Sequence, residues 1–177
     1  RVCGNTNLVS VFDLGEQYLT GVFPKIDEPF DLKGPVELVK CEGAENCGLV
    51  QLRQSYDLEL MYGDNYGYRS GLNPSMVAHL QSKISDIESF ANLRSGDLVI
   101  DVGANDGTSL RAYSTEGVQR FAVDPTIKKF SEFYPQDITQ IADFFPCKEL
   151  DAALTGRKAK VITSFSMFYD LEDPVDF

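Results

Sequence analysis

The segment from Asp101 to Gly107 has the residue types and spacing of a cofactor-binding turn. It reads Asp-Val-Gly-Ala-Asn-Asp-Gly and directly follows the apolar residues Leu98–Ile100. This pattern predicts a strand, a turn and a helix, where a nucleotide-type ligand can lie against exposed backbone. The segment lacks the G-x-G-x-x-G spacing of dinucleotide-binding turns and the Gly-Lys-Ser/Thr of phosphate-binding loops. A carboxylate at Asp101 would repel phosphate, so the pattern favours S-adenosylmethionine, whose amino and sulfonium groups are cationic.

Three positions of the turn are small or turn-forming, namely Gly103, Asn105 and Gly107. Asn tolerates the left-handed backbone region better than other non-glycine residues, so we expect all three to shape the cofactor site. A second carboxylate, Asp124, ends the next apolar run. In a βαβ unit, a carboxylate at this distance from the turn accepts the ribose hydroxyls of the ligand. The alternative is that Asp101 and Asp124 only cap loops.

The cysteines of the N-terminal part indicate a metal rather than a disulfide. Cys3, Cys41 and Cys47 fall in the first 50 residues, and in a cytosolic enzyme such a cluster is more typical of zinc. Structural zinc takes four ligands in a tetrahedron, and these residues supply three. The alternative is that they are free thiols. Cys147 and His79 lie in other predicted elements, and His79 is interpreted as a structural residue.

The elements that position these residues follow from hydrophobic periodicity. Residues 1–55 form short strands at 8–12, 36–40 and 48–52, and residues 74–92 form a helix. Beyond these, strands at 98–102, 120–124, 138–141 and 159–165 alternate with helices at 108–115, 126–133 and 147–155. Such alternation predicts a parallel sheet with right-handed crossovers.

The predicted fold class is therefore α/β. A Rossmann-like parallel sheet of the class I methyltransferase type follows a small β-rich zinc-binding module. We expect this sheet to be C-terminally incomplete, because the chain stops soon after the fourth strand. The predicted divisions are a zinc-binding module at 1–55, a Tyr-rich loop and helix at 56–95, and the cofactor-binding domain at 96–177.

Composition restricts the partners. The formal net charge of −11 argues against nucleic acid as the main partner, because phosphate binding needs a basic face. No apolar stretch is long enough to span a membrane, and the first residues do not resemble a signal peptide. We expect a cytoplasmic protein that binds a small molecule.

Several segments together resemble one enzyme family, the S-adenosylmethionine-dependent C-methyltransferases that act on nucleotide-linked deoxysugars. The matching segments are Arg1–Gly4, Asp13–Gly15, Cys47–Leu52, Tyr66–Gly71, Asp101–Gly107 and Asp143–Phe145. The turn at Asp101–Gly107 is shared by many methyltransferases, whereas Cys-Gly-Leu-Val-Gln-Leu and Tyr-Gly-Tyr-Arg-Ser-Gly are more specific.

The resemblance implies a zinc module that begins Cys-Arg-x-Cys-Gly. Arg1–Gly4 fits this phrase without its first cysteine, so the fourth zinc ligand is expected just before Arg1. The family's second pair is usually Cys-x2-Cys, whereas this chain has Cys41-x5-Cys47.

The resemblance also implies that an aromatic-rich loop closes over the cofactor and the sugar. Tyr66 falls at a Tyr position linked to the family's chemistry, and Tyr68, Arg69 and Ser70 become cofactor or substrate contacts. The alternative is that the tyrosines only pack. Asp170 falls where the family carries a candidate base, His, after the fourth strand, so we expect it to act as a base.

Asp143 and Phe144 follow the third strand of the predicted parallel sheet. In this fold, residues at that position commonly contact the adenine of the cofactor. Asp143 is alternatively the N-cap of the next helix. The sequence favours a methyltransferase over two other functions, a truncated non-catalytic zinc and Rossmann-like binding module and a methyltransferase for another small molecule. It does not indicate an oligomeric state.

Overall fold

The computed structural model describes residues 1–19, 24–29, 31–63 and 66–177, and the chain forms two compact units. Unit 1 comprises Arg1–Gly67 and Asp170–Phe177, and unit 2 comprises Tyr68–Tyr169. The boundary at Gly67 divides the predicted 56–95 connection between the two units.

Unit 1 is built on a three-stranded antiparallel sheet in the order β1-β2-β3. Its strands are β1 (Leu8–Tyr18), β2 (Lys33–Cys41) and β3 (Val50–Leu52), and a short helix, α1 (Leu58–Tyr62), follows. All three predicted strands are present. β1 is longer than the predicted 8–12 because it pairs with β2 as far as Tyr18.

The sheet of unit 1 has little hydrophobic core. Among its described residues, only Val39 and Cys41 are buried hydrophobic side chains. The apolar side chains of β1 are largely exposed, and the pairing of β1 with β2 shifts register twice, between Ser10 and Phe12 and between Asp13 and Glu16. A sheet with so small a core needs an additional stabilising element such as a metal ion.

Unit 2 begins with a long helix, α2 (Pro74–Ala91), which matches the predicted 74–92. Asn73 caps it by accepting the backbone N–H of Ser75 at 3.0 Å, and Pro74 occupies the first turn, where no backbone N–H is needed. The helix ends at Ala91, and its C-cap is Asn92, whose φ of 48° is left-handed. Helix α2 buries Leu80 and Ile84, so one face packs against the rest of the unit.

The remainder of unit 2 alternates strands and helices as predicted. The elements are β4 (Leu98–Val102), α3 (Thr108–Arg111), β5 (Gln119–Val123), α4 (Ile127–Phe130), β6 (Ile138–Ile141), α5 (Lys148–Leu154) and β7 (Val161–Thr163). The four strands form an all-parallel sheet in the order β6-β5-β4-β7. The predicted α/β class, with a Rossmann-like parallel sheet after a small β-rich module, is confirmed.

Helix α3 is shorter than the predicted 108–115. The carboxylate of Glu88, on α2, accepts the backbone N–H groups of Ser114 and Thr115 at 2.9 and 2.7 Å. These tertiary bonds take the backbone groups out of the helical pattern after Arg111. In the described part of the chain, no helix combines the length and apolarity that crossing a bilayer requires.

Candidate functional site

The order of the parallel sheet creates a switch point beside β4. The chain runs from β4 outward through β5 to β6 and then returns to β7 on the other side of β4. The strand order therefore reverses between β4 and β7, and ligands bind at the carboxyl ends of the strands at such a point in open α/β sheets. The turn Gly103–Gly107 lies at this point.

The backbone of the turn has the conformation that its sequence predicts. Gly103, Asn105 and Gly107 have φ values of 77°, 53° and 73°, all in the left-handed region. A Cβ at Gly107 would lie 2.6 Å from the ring of Tyr134, so packing as well as backbone conformation requires glycine there. Tyr134 also donates its hydroxyl to the carbonyl of Asn105 at 2.8 Å, which fixes the turn against unit 2.

Asp124 joins the end of β5 to the turn. Its Oδ2 accepts the backbone N–H of Asn105 at 2.8 Å, and its Oδ1 accepts the backbone N–H and the hydroxyl of Thr126 at 2.7 and 2.6 Å. Asp124 as a whole residue is 8% exposed. Because an ionised carboxylate offers about four lone-pair positions, Asp124 holds the loop and still has acceptor capacity for a ligand hydroxyl.

Asp101 is buried and bonded within the sheet. Its carboxylate accepts the hydroxyl of Ser109, at the start of α3, and the hydroxyl of Thr163 on β7 at 2.7 Å. With 2% exposure, it connects three elements below the turn instead of facing solvent. Burial raises the pKa of the Asp101 carboxyl to about 6, against the lowering effect of its two hydroxyl donors, and the charge of Asp124 adds to the rise.

This raised pKa gives unfolding a distinct pH dependence. The folded state binds the Asp101 proton more tightly than the unfolded chain, so its contribution to the free energy of unfolding falls as pH rises from about 4 to about 6. The slope reaches at most about 1.4 kcal/mol per pH unit. Asp101→Asn should remove this contribution. Urea unfolding of both proteins across this range measures it, and identical pH dependences would contradict the burial of an ionisable Asp101.

A second buried carboxylate of the turn, Asp106, carries no signal in the sequence beyond its place in the motif. Its Oδ1 accepts the backbone N–H and the hydroxyl of Thr108 at 3.2 and 2.6 Å, which begins α3. Its Oδ2 lies 3.5 Å from Nε of Arg69. The structure thus brings the predicted contacts Tyr68, Arg69 and Ser70 against the turn, within unit 2.

A hydroxyl at the end of β7 is also placed at the switch point. Ser164 follows Thr163, which pairs with Asp101 on β4. Its Oγ is buried and has no hydrogen-bond partner among the residues that the structure describes. Buried hydroxyls nearly always have a hydrogen-bond partner, and a bound ligand could supply the partner of this one. No pattern in the sequence distinguishes Ser164 from other serines.

Asp143 and Phe144 follow β6, at the same carboxyl edge of the sheet. Asp143 is exposed and accepts the backbone N–H of Phe144 at 2.8 Å. The alternative role of Asp143 as a helix N-cap is wrong, because α5 begins at Lys148 and its N-cap is Cys147. The carboxylate of Asp143 therefore faces solvent.

The three N-terminal cysteines converge in unit 1. The sulfurs of Cys3 and Cys41 are 3.5 Å apart, and those of Cys3, Cys41 and Cys47 all lie within 4.8 Å of one another. Sulfurs that share a tetrahedral zinc ion at ~2.3 Å lie roughly 3.8 Å apart. The donor set and its spacing fit zinc, with three thiols filling three of four positions.

The surroundings of Cys3 favour its thiolate form. Backbone N–H groups of Asn5 and Cys47 donate to the Cys3 sulfur, and together with the neighbouring thiols they lower the pKa of Cys3 to about 6. Burial raises the pKa of Cys41, whose sulfur accepts the side-chain amide of Asn5 at 3.4 Å. That amide also donates to Asn46 at 2.8 Å and so ties the two cysteine loops together.

Each cysteine loop turns at a glycine directly after the cysteine. Gly4 follows Cys3 with a φ of 70°, and Gly48 follows Cys47 with a φ of 69°. Matching left-handed turns bend the backbone around the two exposed thiols in the same way. The Cys-Gly repetition is visible in the sequence, but the roles of Asn5 and Asn46 are not.

The two candidate catalytic residues of unit 1 are linked through Tyr62. Asp170 lies in a 3-10 helix, Phe168–Asp170, and its Oδ2 accepts the hydroxyl of Tyr62. The ring of Tyr62 packs edge-on against the ring of Tyr66, with centroids 5.3 Å apart. Tyr62 is the member of this cluster that the sequence does not single out.

Comparison with known proteins identifies similarity in both units. A protein family described as "Putative zinc binding domain" matches residues 1–62, which include all three clustered cysteines. The chain is also similar to the C-methyltransferase NovU of Streptomyces niveus, with 27% identity over 127 residues. This alignment covers 71% of the chain and 29% of NovU, so the chain spans less than a third of that relative.

Proposed function

We propose that the protein is an S-adenosylmethionine-dependent methyltransferase whose unit 2 binds the cofactor at the switch point beside β4. The observation that carries this proposal is the bond from the backbone N–H of Asn105 to Asp124, which joins the turn after β4 to the carboxylate after β5. Similarity to NovU, a C-methyltransferase, supports it.

Different residues at this edge of the sheet contact different parts of the cofactor. Asp124 accepts the ribose hydroxyls, and Gly103 and Gly107 keep the turn in its left-handed backbone conformation. The hydroxyl of Ser164, which has no partner among the described residues, completes the site. Asp143 and Phe144 contact adenine from the end of β6. Asp101 acts by positioning, because Ser109 and Thr163 occupy its carboxylate.

The proposed reaction is C-methylation of a nucleotide-linked deoxysugar. The bound cofactor supplies an electrophilic methyl group on its sulfonium. Methylation of carbon also needs a base that removes a proton beside a carbonyl and a donor that stabilises the resulting enolate. We assign these roles to the Tyr66 phenol and the Asp170 carboxylate. The ring of Tyr62 packs against the ring of Tyr66, and the hydroxyl of Tyr62 donates to Asp170.

Unit 1 is proposed to hold zinc in a structural site. Cys3, Cys41 and Cys47 would ligate it as thiolates, and Asn5 would orient the Cys41 sulfur. A closed site of this type stabilises a fold and takes no part in the chemistry. The small core of unit 1 is consistent with that role.

Calorimetry with S-adenosylmethionine tests the cofactor site. The wild-type protein should bind, and Asp124→Ala should weaken binding by about 1–3 kcal/mol, the range for hydrogen bonds to a charged group. Asp137→Ala is the matched control. Asp137 directly precedes β6 and forms an ion pair with Arg120 at the amino end of the strands, away from the proposed site. Melting temperatures of both variants show whether they fold.

Two results would contradict the proposal. A wild-type protein that does not bind S-adenosylmethionine would favour a non-catalytic zinc and Rossmann-like binding module. A folded Asp124→Ala protein with unchanged affinity would remove Asp124 from the site.

A further inference from the structure

A short segment of unit 2, Tyr68–Leu72, is held against the turn by hydrogen bonds, and we call it the strap. The amide oxygen of Asn105 accepts the backbone N–H of Ser70 at 2.9 Å. The amide nitrogen of Asn105 donates to the backbone carbonyl of Tyr68 at 3.0 Å. One side chain at the tip of the turn therefore satisfies two backbone groups of the strap.

The next residue of the turn, Asp106, holds the other end of the strap. Its Oδ2 accepts the backbone N–H of Gly71 at 2.9 Å, and Asp106 as a whole is 1% exposed. A Cβ at Gly71 would lie 2.5 Å from this oxygen, so the close approach requires glycine. The guanidinium of Arg69 lies 3.9 Å from the ring centroid of Phe133 and faces the same carboxylate. Its positive charge therefore interacts with both the aromatic ring and Asp106.

Asn105 meets three requirements at once. Its φ of 53° lies in the left-handed region, which Gly, Asn and Asp adopt with less strain than other residues. Bonding to both Ser70 and Tyr68 needs an acceptor and a donor on one short side chain. Asp lacks the donor and Gly lacks both, so Asn is the residue that fits the turn and the strap together.

We propose that Asn105 and Asp106 are positioning residues that latch the strap to the cofactor turn, so that the affinity for S-adenosylmethionine depends on the latch. The dependence on cofactor rests on the proposed function. The latch itself is a property of unit 2 without ligand. Strap residues Tyr68, Arg69 and Ser70 are the predicted cofactor contacts, so a docked strap presents them before the ligand arrives.

The effect on affinity follows from population arithmetic. If only a fraction of molecules has the strap docked, the apparent Kd rises by the inverse of that fraction. Loss of two hydrogen bonds of ordinary strength lowers the ratio of docked to undocked molecules by roughly tenfold or more, and the apparent Kd rises by as much as the same factor when the undocked form then predominates. Linkage requires that cofactor binding stabilises the docked strap by the same factor.

Asn105→Gly is the variant that isolates the latch. Glycine adopts the left-handed backbone without strain, so the turn keeps its conformation and only the side chain is lost. Asn92→Gly is the matched control, because Asn92 also has a left-handed φ, 48°, in the same unit but lies at the end of α2. Asn105→Asp keeps the acceptor for Ser70 and loses the donor to Tyr68.

Hydrogen exchange of the full chain without cofactor is the first measurement. The Ser70 amide should exchange at least about tenfold faster in Asn105→Gly than in the wild type, with Asn105→Asp closer to the wild type and Asn92→Gly unchanged. Equal Ser70 exchange in the wild type, Asn105→Gly and Asn92→Gly would overturn the latch.

Calorimetry with S-adenosylmethionine is the second measurement. The Kd of Asn105→Gly should rise, by as much as roughly tenfold, while Asn92→Gly keeps the wild-type value. Faster Ser70 exchange with unchanged Kd would overturn the link between strap and cofactor. Absence of binding by the wild type would instead contradict the proposed function. The exchange result would still show whether Asn105 holds the strap against the turn.

Discussion

Replacing Cys41 with serine should remove zinc from unit 1 and unfold its three-stranded sheet. Cys41 is the buried member of the cysteine cluster and one of two buried hydrophobic side chains among the described residues of that unit. Zinc binding in small domains supplies an apparent ~10–16 kcal/mol of folding free energy at neutral pH. The loss of one thiolate should therefore exceed the effect of any single core substitution in unit 1. Metal content and amide exchange of β1 to β3 measure it.

Cys147→Ser is the matched control for this experiment. Cys147 is a partly buried thiol of unit 2, outside the cluster formed by Cys3, Cys41 and Cys47. The control protein should keep its zinc and the protection of unit 1. A Cys41→Ser protein that retains stoichiometric zinc and a protected sheet would show that the three thiols do not form the metal site.

Tyr66→Phe should lower kcat by about 100-fold or more if the phenol moves a proton in the reaction. The substitution removes only the hydroxyl, so the edge-on packing of the ring against Tyr62 is kept. Affinity for S-adenosylmethionine should stay near the wild-type value, because the change acts on the acceptor half of the reaction. Turnover with a nucleotide-linked deoxysugar and calorimetry with the cofactor measure the two quantities separately.

Tyr169→Phe provides the control for Tyr66, since Tyr169 is an exposed tyrosine directly before Asp170. It should leave kcat unchanged. Normal turnover by Tyr66→Phe would assign Tyr66 to packing alone. The base would then be sought at Asp170, whose carboxylate Tyr62 holds by a hydrogen bond.

The parts of the site that the sequence predicts depend on short-range patterns. The left-handed positions at Gly103, Asn105 and Gly107 follow from residue types that tolerate this backbone, and the structure has all three. The alternation of strands and helices predicts a parallel sheet, which the structure contains. The convergence of the three cysteines likewise follows from their residue type and position in one module.

The parts that the sequence does not reveal depend on contacts between distant segments. Asp106 bonds to Gly71, 35 positions away, and Tyr62 bonds to Asp170, 108 positions away. The buried carboxylate of Asp101 accepts the hydroxyl of Thr163 from β7, the last strand of the sheet in sequence order. The spacing of residues along the chain does not predict such pairs. The Asp101–Gly107 motif therefore predicts an acidic residue at the end of the strand, but not whether its side chain faces a ligand or the interior.

The open edge of β1 has a consequence for colloidal behaviour. In the order β1-β2-β3, one side of β1 has no paired strand among the described residues, and Val9, Val11 and Phe12 on it are exposed. Such an edge is a template for strands of other molecules. Two register shifts bend it, and Asp13 and Glu16 place negative charge along it, both of which oppose intermolecular pairing. Repulsion between chains of net charge −11 acts in the same direction, so the acidity of this sequence works as protection against aggregation.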